Sequence, residues 1–302
     1  MEQHELTISE LKKRLLMSYP EDVVLKIFEG YEKKRVVSLR INRLKTTPEH
    51  IDQVLDEHHI AFEKVSWYDD ARIIHAHESE LMKLDIFSKG EIYLQNLSSM
   101  IPALILDPKP KTDVLDMAAA PGGKTTQIAA ITNNLCHLTA CETHPIRAER
   151  LKFNINRLGA KNVTLLIQDA RKLDPYFTFD QILLDAPCTG TGTFEMLFPQ
   201  TYQTFSTKLL DHLMLTQKEL LKAALRMLKP GKTMIYSTCS ILPEENEKQV
   251  EMILKTGQAE LIPIDESWFN QIPILPTRLP GTLLIPPNEF FEGFFVAKLK
   301  KK

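Results

Sequence analysis

The chain has 302 residues, 43% apolar and 25% charged, with 37 Lys and Arg against 39 Asp and Glu and a net charge of −2. These figures predict a soluble chain with one large domain and one smaller one, and they exclude binding to a polyanion through bulk charge alone. No apolar run approaches the length that spans a membrane, and the four cysteines are too scattered for a disulfide framework and form no Cys-x-x-Cys pair, so no metal site is expected.

The polar start, MEQHELTISE, shows no signal-peptide pattern, and a cytoplasmic location, where thiols stay reduced, is expected. Ile8–Tyr19 and Asp22–Tyr31 are predicted helices broken by Pro20. Val36–Ile41 is a predicted strand, Pro48–His58 a helix, and Ala61–Trp67 and Ala71–Ala76 further strands. Together they predict a small α+β domain over residues 1–100. Lys33, Lys34, Arg35, Arg40, Arg43 and Lys45 fall within thirteen residues that hold no acid. Arg40 and Arg43, alternating with Leu39, Ile41 and Leu44, are placed to give a basic strand face. A second cluster runs through Arg147, Arg150, Lys152, Arg157 and Lys161. Each block on its own is more simply a solvated surface.

Asn96–Ala103 leads into the joint Asp107-Pro108-Lys109-Pro110-Lys111, and residues 101–302 are expected to form the second domain. There strands and helices alternate: strand Val114–Met117, helix Lys124–Ile131, strand Leu135–Cys141, helix Pro145–Leu158, strands Val163–Ile167 and Phe179–Leu184. Helix Lys208–Leu228, strand Thr233–Ser237, helix Pro243–Leu254 and strand Phe294–Leu299 complete it. The fold class is α/β, a doubly wound and mainly parallel sheet.

The first strand runs into Ala118-Ala119-Ala120-Pro121-Gly122-Gly123-Lys124, a loop of small residues ahead of a helix N-terminus. The end of a phosphate-binding P-loop is present in Gly123-Lys124-Thr125, but its first glycine falls on Ala118, and a Gly-x-Gly-x-x-Gly dinucleotide pattern is absent. Three later strands end in acids: Glu142, Asp169 and Asp185. A carboxylate at the second strand tip is placed for ribose hydroxyls, and three such acids favour a ligand with hydroxyl, amine or cationic groups. S-adenosylmethionine has all three. A helix cap is the plainer reading of any one acid.

Two cysteines also stand just past strand ends, Cys188 in Asp185-Ala186-Pro187-Cys188-Thr189-Gly190-Thr191-Gly192 and Cys239 in Tyr236-Ser237-Thr238-Cys239-Ser240. Cys136 and Cys141, beside or within a predicted strand, are most simply core thiols.

The segments 118–125, 185–192 and 236–247 resemble the NOL1/NOP2/Sun family of S-adenosylmethionine-dependent RNA (cytosine-5)-methyltransferases. Ser-Leu-Arg-Ile-Asn-Arg-Leu-Lys at 38–45, Gln-Asn-Leu-Ser-Ser-Met at 95–100, Asn-Ile-Asn-Arg-Leu-Gly at 154–159 and Gly-Phe-Phe-Val-Ala-Lys-Leu at 293–299 extend the likeness from residue 36 to the C-terminus. Ala118 stands where many members have Cys, and Thr189 where Ser is usual.

The resemblance implies a class I methyltransferase, Rossmann-like domain with an RRM-like α+β domain that contacts RNA. It implies Cys239 as the nucleophile at cytosine C6, Cys188 as the group that assists C5 deprotonation and product release, and Asp185 near the ring N3 or exocyclic amine. Lys124 is a candidate to keep a thiol ionised. The implied cofactor residues are Ala118, Ala119, Ala120, Pro121, Gly122, Gly123, Lys124, Glu142, Arg147, Asp169 and Asp185. The implied substrate is an unpaired or flipped cytosine in rRNA, or in tRNA as the second choice, with no metal and no membrane. Two other readings stand beside it: a catalytically idle RNA-binding assembly factor, disfavoured by the two thiols, and a P-loop NTPase, disfavoured by Ala118.

Overall fold

The computed structural model describes residues 2–174, 176–265, 267 and 272–302. Helices α1 (Glu2–Leu16) and α2 (Glu21–Tyr31) open the chain, parted by Pro20. Strands β1 (Val37–Ile41), β2 (Phe62–Lys64), β3 (Ala71–Ile74) and β4 (Ile92–Leu94) then form an antiparallel sheet in the order β2-β3-β1-β4. Helix α3 (Pro48–Glu57) joins β1 to β2, and the short helices α4 (Glu78–Leu81) and α5 (Asp85–Ser88) join β3 to β4. This βαββαβ order is ferredoxin-like. Thr47 starts α3 by accepting a hydrogen bond from the His50 amide, with Pro48 at the first helical position.

The expected strand Ala61–Trp67 shortens to β2 because the chain turns after Lys64, with the Tyr68 amide donating to the Val65 carbonyl. The turn frees Trp67 to stack on Phe291 of the larger domain, with ring centroids 6.4 Å apart.

Helix α6 (Leu97–Leu106) runs through the expected boundary at residue 100 and packs on the second sheet. Strands β5 (Asp113–Asp116), β6 (His137–Cys141), β7 (Val163–Leu166), β8 (Phe179–Asp185), β9 (Leu228–Thr238), β10 (Ala259–Ile262), β11 (Leu283–Ile285) and β12 (Phe294–Lys301) build that sheet. Its order is β10-β12-β9-β8-β5-β6-β7, with β11 paired to β12. β5 through β9 are parallel neighbours, whereas β12 and β10 are antiparallel additions. The connecting helices are α7 (Gly123–Ile131), α8 (Pro145–Leu158), α9 (Thr207–Met227) and α10 (Glu247–Leu254).

Alternation along the central strands divides the core between two faces. Ile182 and Leu184 of β8 pack with α9, whereas Leu183 joins Ile101 of α6 and Ile128 of α7. Leu11, Leu15, Val24 and Ile27 of α1 and α2 join the α9 face, so these helices belong to the larger core and not to the small sheet's core of Leu39, Ile41, Ile51 and Ile74. Burying four such side chains contributes on the order of 8 kcal/mol. The chain steps outward from β5 to β7 and returns to β8 on β5's other side, which leaves a crevice at the carboxyl ends of β5 and β8.

Two helix expectations change. The expected Lys208–Leu228 ends at Met227, because Leu228 begins β9 by pairing with Phe179. The expected Pro243–Leu254 begins only at Glu247, because residues 243–246 form turns that carry Glu245 inward.

Candidate active site

The loop after β5 turns on Gly122 at φ 110°, a conformation that favours glycine, and a side chain there would meet Leu151 Cδ1 at 2.9 Å. Two clefts meet at Ala118. The first, about 230 Å³, is bordered by Ser99, Asp116, Lys124, Asp185 and Glu292 together with residues 118–121 and 123 of the loop. The second, about 130 Å³, lies between Glu142, Arg147, Asp169 and Arg171. Of the strand-end acids, Asp185 lies in the first cleft, and Glu142 and Asp169 lie in the second.

In the second cleft Glu142 is buried; its Oε1 accepts the His144 amide at 2.9 Å, and its Oε2 lies 3.5 Å from Arg147. Arg147 also donates to the Ala120 carbonyl at 3.0 Å, tying this cleft to the loop. Asp169 is held by Arg171, whose side chain approaches both carboxylate oxygens at 2.6–3.0 Å and keeps the carboxyl below its usual range. Sequence reasoning missed Arg171, although its place two residues after a strand-end acid was a usable signal.

The first cleft contains a half-buried ion pair. Lys124 Nζ lies 2.7 Å from Asp185 Oδ2 and 2.7 Å from Ser99 Oγ, and Ser237 donates to Asp185 Oδ1 at 2.7 Å. Burial pushes the Lys124 pKa down, but Asp185, with smaller help from Asp116 and Cys239, more than reverses this, so the lysine stays charged. Its ammonium lies 5.5 Å from the centre of the Phe294 ring. Asp116, which sequence reasoning did not single out, is 1% exposed. Thr125 donates to its Oδ2 at 2.7 Å, and its Oδ1 has no partner. Burial pushes its carboxyl up to about 6. Thr125 is thus committed to Asp116, unlike the metal-facing hydroxyl of a P-loop.

Cys188 and Cys239 follow the neighbouring strands β8 and β9, and their Sγ atoms lie 3.3 Å apart. Both are free thiols. The contact with Cys239 and burial push the Cys188 thiol up, and the Glu245 carboxylate adds to this. Glu245 fixes the Cys188 loop: it accepts from the Thr189 amide at 2.8 Å, from Thr189 Oγ1 at 2.5 Å and from Gln217 Nε2 at 3.0 Å. Gln217 in turn donates to the Pro187 carbonyl at 2.9 Å. The acids Glu244 and Glu245 were expected only as favourable charges at a helix start. Cys136 and Cys141 are buried core thiols, and burial pushes Cys141 up to about 12.

The two thiol loops are joined backbone to backbone. The Gly192 amide donates to the Cys239 carbonyl at 2.9 Å, and its carbonyl accepts from the Gly293 amide at 2.8 Å. A side chain on Gly192 would lie 1.9 Å from the Gly293 oxygen, so only glycine permits the approach.

The basic strand face expected from Lys33 to Lys45 is broken at Arg35 and Arg40, which turn to internal partners. Arg40 is fully buried and donates to Gln95 Oε1, the Gly123 carbonyl and Thr126 Oγ1 at 2.9–3.2 Å. Arg35 is tied to Glu195 and to the carbonyls of Gly192, Thr193 and Phe194. Arg43 pairs with Asp70, and Lys45 donates to the Lys89 and Arg157 carbonyls. Unsatisfied carbonyls at the domain junction need donors, and these cations supply them. Lys33, Lys34, Arg43 and Lys45 remain exposed, Arg43 and Lys45 while holding these contacts. In the second cluster Arg157 is also structural, donating to the Phe87 carbonyl and lying 4.6 Å over the Phe87 ring.

Among the described residues no group of three or more His, Cys, Asp or Glu side chains is placed to hold a metal ion, and no helix is long and apolar enough to cross a membrane.

A family model described as 16S rRNA methyltransferase RsmB/F matches residues 103–300, and one described as the RsmF/B-like ferredoxin-like domain matches residues 11–78. The chain is 37% identical over 274 residues, 87% of its length, to a ribosomal RNA small subunit methyltransferase F of Aliivibrio salmonicida. It is 34% identical over 274 residues to a tRNA (cytosine(49)-C(5))-methyltransferase of Pyrococcus abyssi. It spans 57% of the first relative's length and 88% of the second's. A crystal structure of a methyltransferase homologue from Pyrococcus horikoshii superposes with a TM-score of 0.81 at 31% identity, covering 97% of this chain and 99% of that one. The ferredoxin-like sheet, the central parallel sheet and the paired thiols thus agree with similarity along most of the sequence: the chain belongs to the RsmB/F group of the NOL1/NOP2/Sun family.

Proposed function

We infer that this protein is an S-adenosylmethionine-dependent RNA (cytosine-5)-methyltransferase that works through a covalent bond between cysteine and C6 of the base. The observation that carries this is the pair of thiols 3.3 Å apart, beside a Lys124–Asp185 ion pair and a two-part cleft.

The cleft fits the cofactor. The unpartnered Oδ1 of buried Asp116 provides an acceptor for an ammonium, and the acids Asp116 and Asp185 outnumber the one Lys124 beside them, which suits a cationic methionine end. Glu142 lies in the other half, where a ribose diol needs an acceptor, and Asp169, with Arg147 nearby, borders the space for the adenine amine. When bound, the cofactor supplies an electrophilic methyl group.

The chain's own residues do the rest. The sulfur of Cys239 adds to C6, which makes C5 nucleophilic. Cys188, held up by burial and by its contact with Cys239, keeps its proton at this stage, 3.3 Å from the Cys239 sulfur. Once Cys239 is bonded to carbon, its hydrogen-bond contact with Cys188, the first cause of the raised Cys188 value, is gone, although burial remains. Cys188 can then pass its proton to solvent and, as a thiolate, take up the proton leaving C5, while the C–S bond breaks and the Cys239 sulfur leaves with its electron pair. Asp185, held by Lys124 and Ser237, orients the polar edge of the base.

We assign catalysis to residues 101–302 and RNA contact to residues 1–100. The target cytosine must be unpaired or flipped to reach the thiols. Ribosomal RNA is the favoured substrate, on the description of the family model matched, with tRNA second. The free thiol pair suits a reducing cytoplasm. The test is single-base mapping of 5-methylcytosine after treating RNA from cells that lack the gene; no new 5-methylcytosine would overturn the reading. S-adenosylhomocysteine is expected to raise the melting temperature, and stabilisation by ATP instead would favour the NTPase alternative.

A further inference from the structure

The first cleft has four strongly acidic or basic side chains, and three are accounted for. Lys124 and Asp185 answer each other, and Asp116 has Thr125 and, in the reading above, the cofactor's ammonium. The fourth, Glu292, lies in the segment before β12, and no side chain or backbone donor among the described residues bonds to its carboxylate. The nearest cations acting on it are Arg35 and Lys124. Arg35 is already engaged by Glu195 and three carbonyls, and Lys124 by Asp185 and Ser99.

The backbone around Glu292 is fastened to the reacting groups. Its amide donates to Asn96 Oδ1 at 3.3 Å, and its carbonyl accepts from Ser98 Oγ at 2.7 Å. The next residue, Gly293, bonds to Gly192, whose amide bonds to the Cys239 carbonyl. Two hydrogen bonds thus separate the Glu292 turn from the nucleophile's own backbone, and Phe294 on its other side carries the Lys124 ammonium over its ring. The backbone that carries Glu292 is thereby tied to the Cys239 loop, and its side chain lines the first cleft beside Lys124 and Asp185. Burial, opposed in part by Arg35 and Lys124, pushes its carboxyl above the usual range, and in either protonation state one oxygen remains an acceptor.

We propose that Glu292 is a base-contacting residue of this enzyme, whose carboxyl oxygen accepts a hydrogen bond from the exocyclic amine of the target cytosine and so selects for that amine. The proposal rests on the methyltransferase reading above. A half-buried acceptor left without a donor, once RNA covers the cleft, penalises a base that lacks the amine, which is how a polar pocket rejects such an analogue more strongly than an apolar pocket rejects a missing methylene.

The test is a cycle between protein and base. RNA carrying the mapped site is prepared with 5-fluorocytosine or with its analogue lacking the amine, 5-fluoro-2-pyrimidinone, at the target. The rate of covalent adduct formation is then measured for the wild type, Glu292→Gln and Glu292→Ala, with S-adenosylmethionine present. The wild type is expected to lose at least about tenfold in rate when the amine is removed, and Glu292→Ala is expected to lose threefold or less. Equal sensitivity to the amine in the wild type and Glu292→Ala would overturn the proposal. So would a fall in S-adenosylhomocysteine affinity with base selectivity unchanged, which would give Glu292 to the cofactor. Glu292→Gln, which keeps an acceptor oxygen and a similar shape, tests the same selectivity should the alanine variant fold poorly. No adduct from the wild type with 5-fluorocytosine RNA would instead overturn the methyltransferase reading, and this proposal with it.

Discussion

The sulfur atoms of Cys188 and Cys239 lie 3.3 Å apart although the residues are 51 positions apart in the chain. The register of β8 on β9 brings them together, since Leu184 pairs with Tyr236 and Asp185 with Ser237. Two thiols at that distance can share one proton, and a shared proton makes them chemically unequal. Cys239→Ala is expected to lose both turnover and adduct, by about a thousandfold or more, whereas Cys188→Ala is expected to accumulate the adduct. Denaturing gels with labelled RNA distinguish them; an adduct in Cys239→Ala would reverse the assignment.

Glu245 holds the Cys188 loop through three donors. Glu245→Ala leaves the Thr189 amide, the Thr189 hydroxyl and Gln217 without this acceptor, at an expected cost of about 2–4 kcal/mol in urea unfolding. Glu245→Gln removes the charge but keeps an acceptor. Because that charge helps push Cys188 up, its removal is expected to move Cys188 alkylation to lower pH when compared in a Cys239→Ser background. An unchanged alkylation profile would show that the carboxylate acts only as a strut.

Arg40 distinguishes structural from RNA-binding basic residues. Arg40→Met is expected to destabilise the fold by about 3 kcal/mol, yet leave the slope of log affinity against log salt for RNA unchanged. The double variant Lys33→Ala/Lys34→Ala, at exposed sites, is expected to cost under about 0.5 kcal/mol in stability and to flatten that slope by about 1.4. The opposite pattern would return Arg40 to the RNA surface.

Asp116 links stability to pH. Its folded-state pKa of about 6 exceeds the ordinary 3.8, so the folded chain binds more protons than the unfolded one between those values. Stability from this group is therefore full below about pH 4 and is lost as pH rises toward 6, by up to about 3 kcal/mol. Asp116→Asn is expected to remove that slope and to be more stable at pH 7 by about 1–3 kcal/mol. Urea titrations at pH 4.5 and 7 check the sign. Parallel losses in the two proteins would clear Asp116 of the effect. S-adenosylhomocysteine, which carries an ammonium, is expected to bind the wild type more tightly at pH 7 than at pH 5.

The sequence by itself determined the alternating α/β order, the small-residue loop at 118–124, the three strand-end acids and the two strand-end cysteines, together with the family they resemble. These features are local: strand periodicity, proline and glycine punctuation, and short motifs are written in contiguous residues. Tertiary structure alone decided what long-range pairing controls. It buried Arg40 and tied the half-buried Arg35 to carbonyls at the domain junction, so that part of a basic run became internal scaffolding. It packed α1 and α2 on the larger core, and it carried Glu245 from an expected helix start into the Cys188 loop. It also brought Asp116 and Glu292, 176 positions apart, into one cleft. A charged side chain looks the same in a sequence whether water or a buried partner surrounds it, and only the folded chain supplies the partner.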